Sequence, residues 1–258
     1  MSRYDAMFAR LHNEGALGAF LMLGDPELAT SARHLDALVE GGTDMVEVGI
    51  PFSDPVADGP VIQAAAERAL KAGVRVDDAL ELIAGFRKRH PDVPLGILTY
   101  ANIVEVRGRE RFMADAVTAG ADSLLVADVP SLEAEPYSAL ARATGIDLVM
   151  IAAPNTGEEA LDRLARLSSG YTYCVARAGV TGERSDLALD HQQLFGKLKE
   201  RNAPPAVLGF GISSPEQVRA ALDSGAAGVI VGSAIVRIAA EGGDVAGFVD
   251  SLKTATRR

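Results

Sequence analysis

Short apolar segments alternate with longer amphipathic segments along the whole chain. The short segments are rich in Val, Ile and Leu without polar alternation, which predicts strands buried on both faces. The longer segments repeat apolar residues three and four apart, which predicts helices. Strands are predicted at 18–23, 45–50, 95–99, 123–127, 147–152, 171–175, 207–210 and 228–231. Helices are predicted at 2–12, 28–40, 61–71, 77–89, 109–119, 132–143, 157–168, 190–201, 215–224 and 245–255.

Eight strands that are each followed by a helix predict an α/β fold, a (β/α)8 TIM barrel formed by residues 1–258 as a single domain. The barrel carries an extra N-terminal helix and a short extra helix after the eighth strand. An open doubly wound sheet is the alternative, but it normally has a glycine-rich fingerprint after its first strand, and residues 24–26 (GDP) are not one. In a barrel, functional residues lie at the carboxyl ends of the strands.

Composition excludes several classes of function. A formal net charge of −10 disfavours a nucleic-acid or membrane-surface partner, for which a basic face is expected. The single cysteine, Cys174, allows no disulfide framework and predicts a reducing compartment. The first residues are charged, unlike a signal peptide, and no apolar run approaches the roughly 20 residues that span a bilayer. We expect a cytoplasmic protein.

The most informative stretch is residues 46–60 (VEVGIPFSDPVADGP). An apolar strand carries Glu47, a proline- and glycine-stiffened loop carries Asp54 and Asp58, and Pro60 occupies the first turn of the next helix. Burial would raise the pKa of Glu47 toward neutrality, where a carboxyl group can move protons, while a better hydrated Asp58 would stay ionised. The structural alternatives are an ion pair inside the barrel for Glu47 and a loop hydrogen bond for Asp58.

Other catalytic chemistries lack residues at the strand ends. All four histidines (His12, His34, His90 and His191) and all five lysines fall in predicted helices or at their edges. A histidine base, a histidine-based metal site and a Schiff-base lysine are therefore not expected, and no metal ligand is predicted. Cys174 points to the opposite side of its strand from Tyr173, and we expect it to pack in the core.

The last two strands predict a phosphate site. They end in glycine-rich sequences that contain Gly211, Gly232 and Ser233. Glycine lets backbone N–H groups approach an anion, and the following helix adds its positive end. The loops after strands seven and eight often bind phosphate in barrels, although glycines that only cap turns are the alternative. The polar segment 177–186 predicts either a lid or a surface loop.

Together these motifs resemble the tryptophan synthase alpha subunit family over nearly the whole chain. The matching segments are 23–26 (LGDP), 47–60 (EVGIPFSDPVADGP), 126–130 (VADVP), 179–182 (GVTG), 209–213 (GFGIS) and 232–234 (GSA). The acidic segment is the most specific, because many phosphate-binding barrels share the glycines. The resemblance implies a lyase that cleaves indole-3-glycerol phosphate to indole and glyceraldehyde 3-phosphate by a retro-aldol reaction, with no cofactor in this subunit.

The resemblance also implies roles for single residues. Glu47 would protonate C3 of indole and take the proton of the glycerol hydroxyl, while Asp58 would accept the indole N–H. The indole pocket would be lined by Phe20, Leu98, Tyr100, Tyr173 and Phe210. The phosphate would be held by Gly182, Gly211, Gly232 and Ser233. Thr181 would sit in the lid and hydrogen-bond near Asp58 when the lid closes.

By the same resemblance, the partner would be a beta subunit that carries pyridoxal phosphate (PLP) and receives indole in an alpha-beta-beta-alpha heterotetramer. Pro51, Asp54 and Asn102, in loops 51–58 and 100–106, would face it. The alternatives are a free-standing indole-3-glycerol phosphate lyase and a mainly regulatory subunit that activates its beta partner. The chain departs from its relatives at Ala19, Met22, Ala176 and Ala178, which could alter lid closure or partner coupling.

Overall fold

Parallel strands form a closed ring in the computed structural model, which describes residues 2–12, 14–175, 187–209 and 211–257, with the side chains of 187–190 excepted. The predicted strand 147–152 is divided at Val149 into two segments. The Val149 N–H still donates to the Leu124 carbonyl at 2.9 Å. The strands are β1 (Ala16–Met22), β2 (Met45–Gly49), β3 (Leu95–Thr99), β4 (Ser123–Val126), β5 (Asp147–Leu148), β6 (Met150–Ala152), β7 (Thr172–Val175), β8 (Ala206–Gly209) and β9 (Gly228–Val231).

The order of neighbouring strands is β5-β4-β3-β2-β1-β9-β8-β7-β6, and every pair is parallel. Because β5 and β6 follow each other in the chain, the two ends of this order meet and close the sheet. The predicted barrel is therefore confirmed, and the open doubly wound alternative is wrong. The assignment of all 258 residues to one domain stays a prediction.

Helices surround the ring, and their apolar faces pack on the strands; in one of them Leu161, Leu164 and Leu167 form the buried face. Of the helices that are described, none is long and apolar enough to cross a membrane. They are α1 (Arg3–Leu11), α2 (Leu28–Glu40), α3 (Pro60–Lys71), α4 (Val76–Arg89), α5 (Ala101–Arg107), α6 (Arg109–Ala119), α7 (Glu135–Thr144), α8 (Glu158–Leu167), α9 (Leu187–Glu200), α10 (Pro215–Asp223), α11 (Ser233–Ala240) and α12 (Val245–Thr254), with a 3₁₀ turn at Ser131–Glu133.

The interpretation of residues 100–106 as a loop is wrong, because α5 occupies this segment. The Asp128 carboxylate accepts a hydrogen bond from the Ala101 N–H at 2.7 Å and so satisfies a donor that the helix itself leaves free. Val104 is buried and anchors the helix, and Gly108, with φ of 86°, ends it. The surface next to the loop after β2 is therefore helical.

The N-terminal helix α1 covers the amino-terminal end of the barrel. Ser2 caps this helix through a reciprocal bond pair with Asp5. Tyr4 is buried, and its hydroxyl lies 2.8 Å from the Ser123 hydroxyl at the start of β4. Its ring contacts the Tyr171 ring with 5.3 Å between centroids. Tyr4 and Tyr171 therefore pack together at this end of the barrel.

Glycines leave room for aromatic side chains at the opposite end of the barrel. A Cβ atom on Gly49 would lie 2.8 Å from Cζ of Phe20, and one on Gly209 would lie 2.2 Å from the Tyr173 hydroxyl oxygen. Real Cβ atoms do not come this close, so both positions require glycine. Because side chains alternate along a strand, Gly49 and Glu47 share the inner side of β2. This spacing keeps Phe20, Glu47 and Tyr173 together at the carboxyl end.

Candidate active site

Two cavities lined by described residues differ in their chemistry, and the smaller one carries the candidate carboxylates. The larger one, about 470 Å³, lies outside the ring against α7 and α8. Its polar groups Asp128, Tyr137 and Thr156 already bond to neighbouring atoms of the protein. The smaller one, about 300 Å³, opens at the carboxyl end of the barrel and is lined by both candidate carboxylates, Glu47 and Asp58.

Glu47 projects from the middle of β2 into this cavity, and only 2% of its surface is exposed. The Tyr171 hydroxyl donates to its Oε1 at 2.8 Å, whereas Oε2 is buried without a hydrogen-bond partner among the described residues. Burial raises the pKa of Glu47 to about 7; the Tyr171 bond opposes this rise, and the charge of Asp58 adds to it. A barrel-interior ion pair is absent from the part of the chain that the structure describes, because none of the ion pairs found there includes Glu47.

Asp58 approaches the same cavity from the loop after β2 and is partly exposed. Its N–H donates to the Pro55 carbonyl at 3.1 Å, and the Gln63 side chain donates to its carbonyl at 2.7 Å. Partial burial raises the pKa of Asp58, while a hydrogen bond from Tyr100 lowers it. The predicted difference in hydration between the two carboxylates is present, but the pKa of each is shifted upward.

Tyr100 does not line the cavity but supports Asp58. Its hydroxyl accepts a hydrogen bond from the Ala57 N–H at 3.2 Å and bonds to the Asp58 carboxylate. Its ring packs on Phe52 with 5.3 Å between centroids. The side chain therefore joins the loop after β2 to the start of α5.

The rest of the cavity separates into an apolar wall and a glycine-rich end. Phe20, Leu98 and Tyr173 line the wall together with Ile212 and Ile230, and their contact with indole stays a prediction. An apolar wall with a few polar groups suits a flat aromatic ligand.

The glycine-rich end consists of the segments that follow β8 and β9. Gly211 has a φ of 85°, which favours glycine. Gly232 has a φ of −116° and a ψ of −80°, and a Cβ there would meet Phe20 atoms no closer than 3.5 Å. Ser233 begins α11, so free backbone N–H groups and the positive helix end are available for an anion here.

The other predicted site residues are either exposed, buried or outside the described part of the chain. Phe210, Thr181 and Gly182 lie outside the described residues, as does the proposed lid 177–186. Asp54 and Asn102 are exposed, whereas Pro51 is buried. In the described part of the chain, no group of three or more His, Cys, Asp or Glu side chains is arranged to hold a metal ion.

Tyr171 and Arg237 are among the residues at the site that were not predicted. Tyr171 lies two positions before Tyr173, and the alternation of side chains along a strand places both on the inner side. Arg237 lies four positions after Ser233, and the helical repeat places both on one face of α11. The alternation along the strand could have identified Tyr171, and the helical repeat could have identified Arg237.

Comparison with known proteins decides which family this site belongs to. A profile of the family described as tryptophan synthase alpha chain matches residues 8–255. The tryptophan synthase alpha chain of Aeromonas hydrophila is 48% identical over 268 residues, with 100% of both chains covered. This chain belongs to the tryptophan synthase alpha chain family.

Solved structures agree with the family assignment. The structure of tryptophan synthase subunit alpha from Legionella pneumophila superposes with a TM-score of 0.90 at 30% identity, covering 99% of this chain and 98% of that one. The aminoacrylate-bound form of tryptophan synthase from M. tuberculosis gives a TM-score of 0.89 at 32% identity, covering 100% of both chains.

Family membership establishes the reaction. As a tryptophan synthase alpha chain, the protein is a carbon–carbon lyase of tryptophan biosynthesis that cleaves indole-3-glycerol phosphate. The family needs no cofactor for this step, and PLP belongs to the beta chain. The expected lyase activity is confirmed, while the residues that perform it stay predictions.

Proposed function

We propose that Glu47 is the general acid and base of the cleavage and that Asp58 orients and polarises the indole ring. The buried Oε2 of Glu47 carries this proposal, because it has no hydrogen-bond partner among the described residues and Glu47 lines the cavity. A buried polar atom without a partner is destabilising, and its retention calls for an explanation. A substrate that hydrogen-bonds to this oxygen supplies one.

The proposed reaction returns Glu47 to its starting state. The protonated carboxyl group of Glu47 donates its proton to C3 of the indole ring, which gives a cationic indolenine, and Asp58 accepts the ring N–H and balances the charge. The carboxylate of Glu47 then takes the proton of the neighbouring glycerol hydroxyl. The carbon–carbon bond breaks, its electron pair returns to the ring, and indole and glyceraldehyde 3-phosphate result.

The electrostatics of Glu47 suit both of its proton transfers. A pKa of about 7 leaves comparable amounts of acid and conjugate base near neutral pH. General acid–base catalysis is most efficient when the pKa of the group lies near the working pH. Tyr171 holds Oε1, so we assign the proton transfer to Oε2, which has no partner in the part of the chain that the structure describes.

The cavity also offers a place for the indole ring and for the phosphate group of the substrate. We assign the indole ring to Phe20, Leu98 and Tyr173, and the phosphate to the end of the cavity that contains Gly211, Gly232 and Ser233. Phe210, Thr181 and Gly182 keep the roles that the resemblance implies for them, as parts of the ring pocket, lid and phosphate site.

We further propose a beta chain as the partner, in an alpha-beta-beta-alpha complex in the cytoplasm. Val56 and Val106, with 81% and 88% of their surfaces exposed, offer apolar surface beside Asp54 and Asn102. Exposed apolar patches often mark protein interfaces. The bonds of Tyr100 to Ala57 and Asp58 connect this surface to the catalytic loop. Partner binding here would therefore act on Asp58.

Indole release from indole-3-glycerol phosphate, followed with and without a tryptophan synthase beta chain, tests the proposal. We expect slow release by the isolated chain and a large increase on adding the partner. Fast release that the partner does not change would indicate a free-standing lyase. A chain that produces no indole in either case, yet raises the activity of the beta chain, would be mainly regulatory.

Changing Val106 tests the proposed partner surface directly. Val106→Asp adds a charge to exposed apolar surface and should weaken the stimulation by the beta chain. Val117→Asp is the matched control, because Val117 is a partly exposed valine on the neighbouring helix α6. Equal stimulation of the two variants would contradict the proposed position of the interface.

A further inference from the structure

Arg237 is the basic side chain of the catalytic cavity. Among the described residues that line this cavity, no other lysine, arginine or histidine is present. Arg237 lies one helical turn after Ser233 on α11, so both extend from the same face of this helix. Arg237 is exposed and lines the cavity from the same helix as Ser233, which follows directly on Gly232.

Arg237 has no ion-pair partner within the described part of the chain. Glu241 follows four residues later, at a spacing that often forms ion pairs on helices, yet the two are not paired. Arg237 is also absent from the causes that shift the pKa of Glu47 and Asp58. Its charge is therefore not committed to a structural contact or to either catalytic carboxylate.

The negative charge of the substrate phosphate is complementary to the positive charge of Arg237. The phosphate group of indole-3-glycerol phosphate carries up to two negative charges, and it enters a cavity that already holds two carboxyl groups in a chain of net charge −10. Backbone N–H groups supply only partial positive charge. A guanidinium group has donors in a planar fork that matches phosphate oxygens.

We propose that Arg237 binds the phosphate group of the substrate and makes the enzyme select phosphorylated over unphosphorylated indole-3-glycerol. This inference rests on the proposed position of the phosphate at the α11 end of the cavity. Arg237 does not touch the reacting carbon atoms, so it contributes to substrate affinity and not to the chemical step.

Three variants of the full chain test the proposal. Arg237→Gln removes the charge, Arg237→Lys keeps it, and Arg219→Gln is the matched control, because Arg219 is exposed on α10 and does not line the cavity. Arg237→Gln should raise KM for indole-3-glycerol phosphate about tenfold, as expected for a lost hydrogen bond to a charged group. Its kcat should change by less than about threefold, because the reacting groups are untouched.

Unphosphorylated indole-3-glycerol provides the decisive comparison. Arg237→Gln should leave kcat/KM for this compound unchanged, and Arg237→Lys should recover most of the affinity for the phosphorylated substrate. Equal KM values for Arg237→Gln and Arg219→Gln with indole-3-glycerol phosphate would overturn the proposal. So would an equal loss with both substrates, which would indicate a structural role.

Calorimetric binding of glyceraldehyde 3-phosphate separates this inference from the proposed catalytic roles. Affinity that falls about tenfold in Arg237→Gln, and not in Arg219→Gln, supports the phosphate contact even if Glu47 and Asp58 have other roles. Unchanged affinity in Arg237→Gln, or no binding to the unmodified chain, would overturn it.

Discussion

Glu47 and Asp58 face one cavity from different kinds of support. Glu47 lies in the barrel strand β2, is almost fully buried, and has one oxygen held by Tyr171. Asp58 stands on a loop, is partly exposed, and depends on Tyr100 and on backbone bonds for its position. Burial raises the pKa of both carboxyl groups, and it raises the pKa of Glu47 to about 7.

The difference shows how one fold divides acid–base work between two residues of similar chemistry. A strand inside the barrel excludes water, so the carboxyl group becomes a proton donor near neutral pH. A loop at the mouth leaves some hydration, so the carboxylate can stay charged and stabilise a cation. The loop that carries Asp58 lies beside the proposed partner surface, whereas β2 is a strand of the barrel wall.

The largest effect should come from removing either carboxyl function. Glu47→Gln should lower kcat for indole release by at least about 100-fold, because the amide cannot transfer a proton. Asp58→Asn should also severely impair turnover, since the neutral amide cannot balance the charge on the ring. Steady-state kinetics with indole-3-glycerol phosphate measure both. Near-normal kcat in Glu47→Gln would exclude the acid–base role.

A second prediction concerns stability, where the two carboxyl groups should differ. The folded-state pKa of Glu47, about 7, lies above its ordinary value of 4.5, so the folded protein prefers the protonated form. The stability that this preference contributes is complete below pH 4.5 and is lost as the pH rises through 7. Between these limits the loss amounts to about 3 kcal/mol.

Glu47→Gln removes this titration, so its free energy of unfolding relative to the unmodified chain should increase between pH 4.5 and pH 8. Denaturant unfolding at several pH values measures the difference. Asp58→Asn should show a change of the same sign but smaller, because Asp58 is less buried. A difference for Glu47→Gln that stays constant with pH would contradict the raised pKa.

The smallest predicted effects come from the two supporting tyrosines. Tyr171→Phe removes a bond that lowers the pKa of Glu47, so the alkaline limb of kcat/KM should move above its position near pH 7. Tyr100→Phe removes a bond that lowers the pKa of Asp58, so the acid limb should move upward instead.

Tyr173→Phe is the matched control for this pair, because its hydroxyl is not among the causes of either shift. It should leave both limbs in place, whatever it does to the rate. If Tyr171→Phe and Tyr100→Phe moved the same limb, the separate environments of the two carboxyl groups would be refuted.

Much of this arrangement could be predicted from local patterns. Helix α2 has the predicted bounds, because the apolar repeat of residues 28–40 ends where two glycines follow. Glu47 and Asp58 could be brought to one cavity because strand ends and βα loops converge in a barrel. The hydration difference between them followed from one being in an apolar strand and the other in a polar loop.

Contacts between distant residues could not be predicted in the same way. The Tyr171–Glu47 bond joins residues 124 positions apart, and no local pattern records such a pair. The helical form of residues 101–107 depends on a bond to Asp128 in another part of the barrel. Arg237 was missed because a charged residue on a helix is usually solvated.

Direct titration of Glu47 tests the central claim without relying on turnover. Carbon-13 NMR of the side-chain carboxyl carbons in glutamate-labelled protein, with the Glu47 signal assigned by its loss in Glu47→Gln, gives the pKa in the folded chain. We predict a half-titration point near pH 7, as burial beside Tyr171 requires. A half-titration point near the ordinary 4.5 would contradict the account, since Glu47 would then be ionised and unable to protonate the ring.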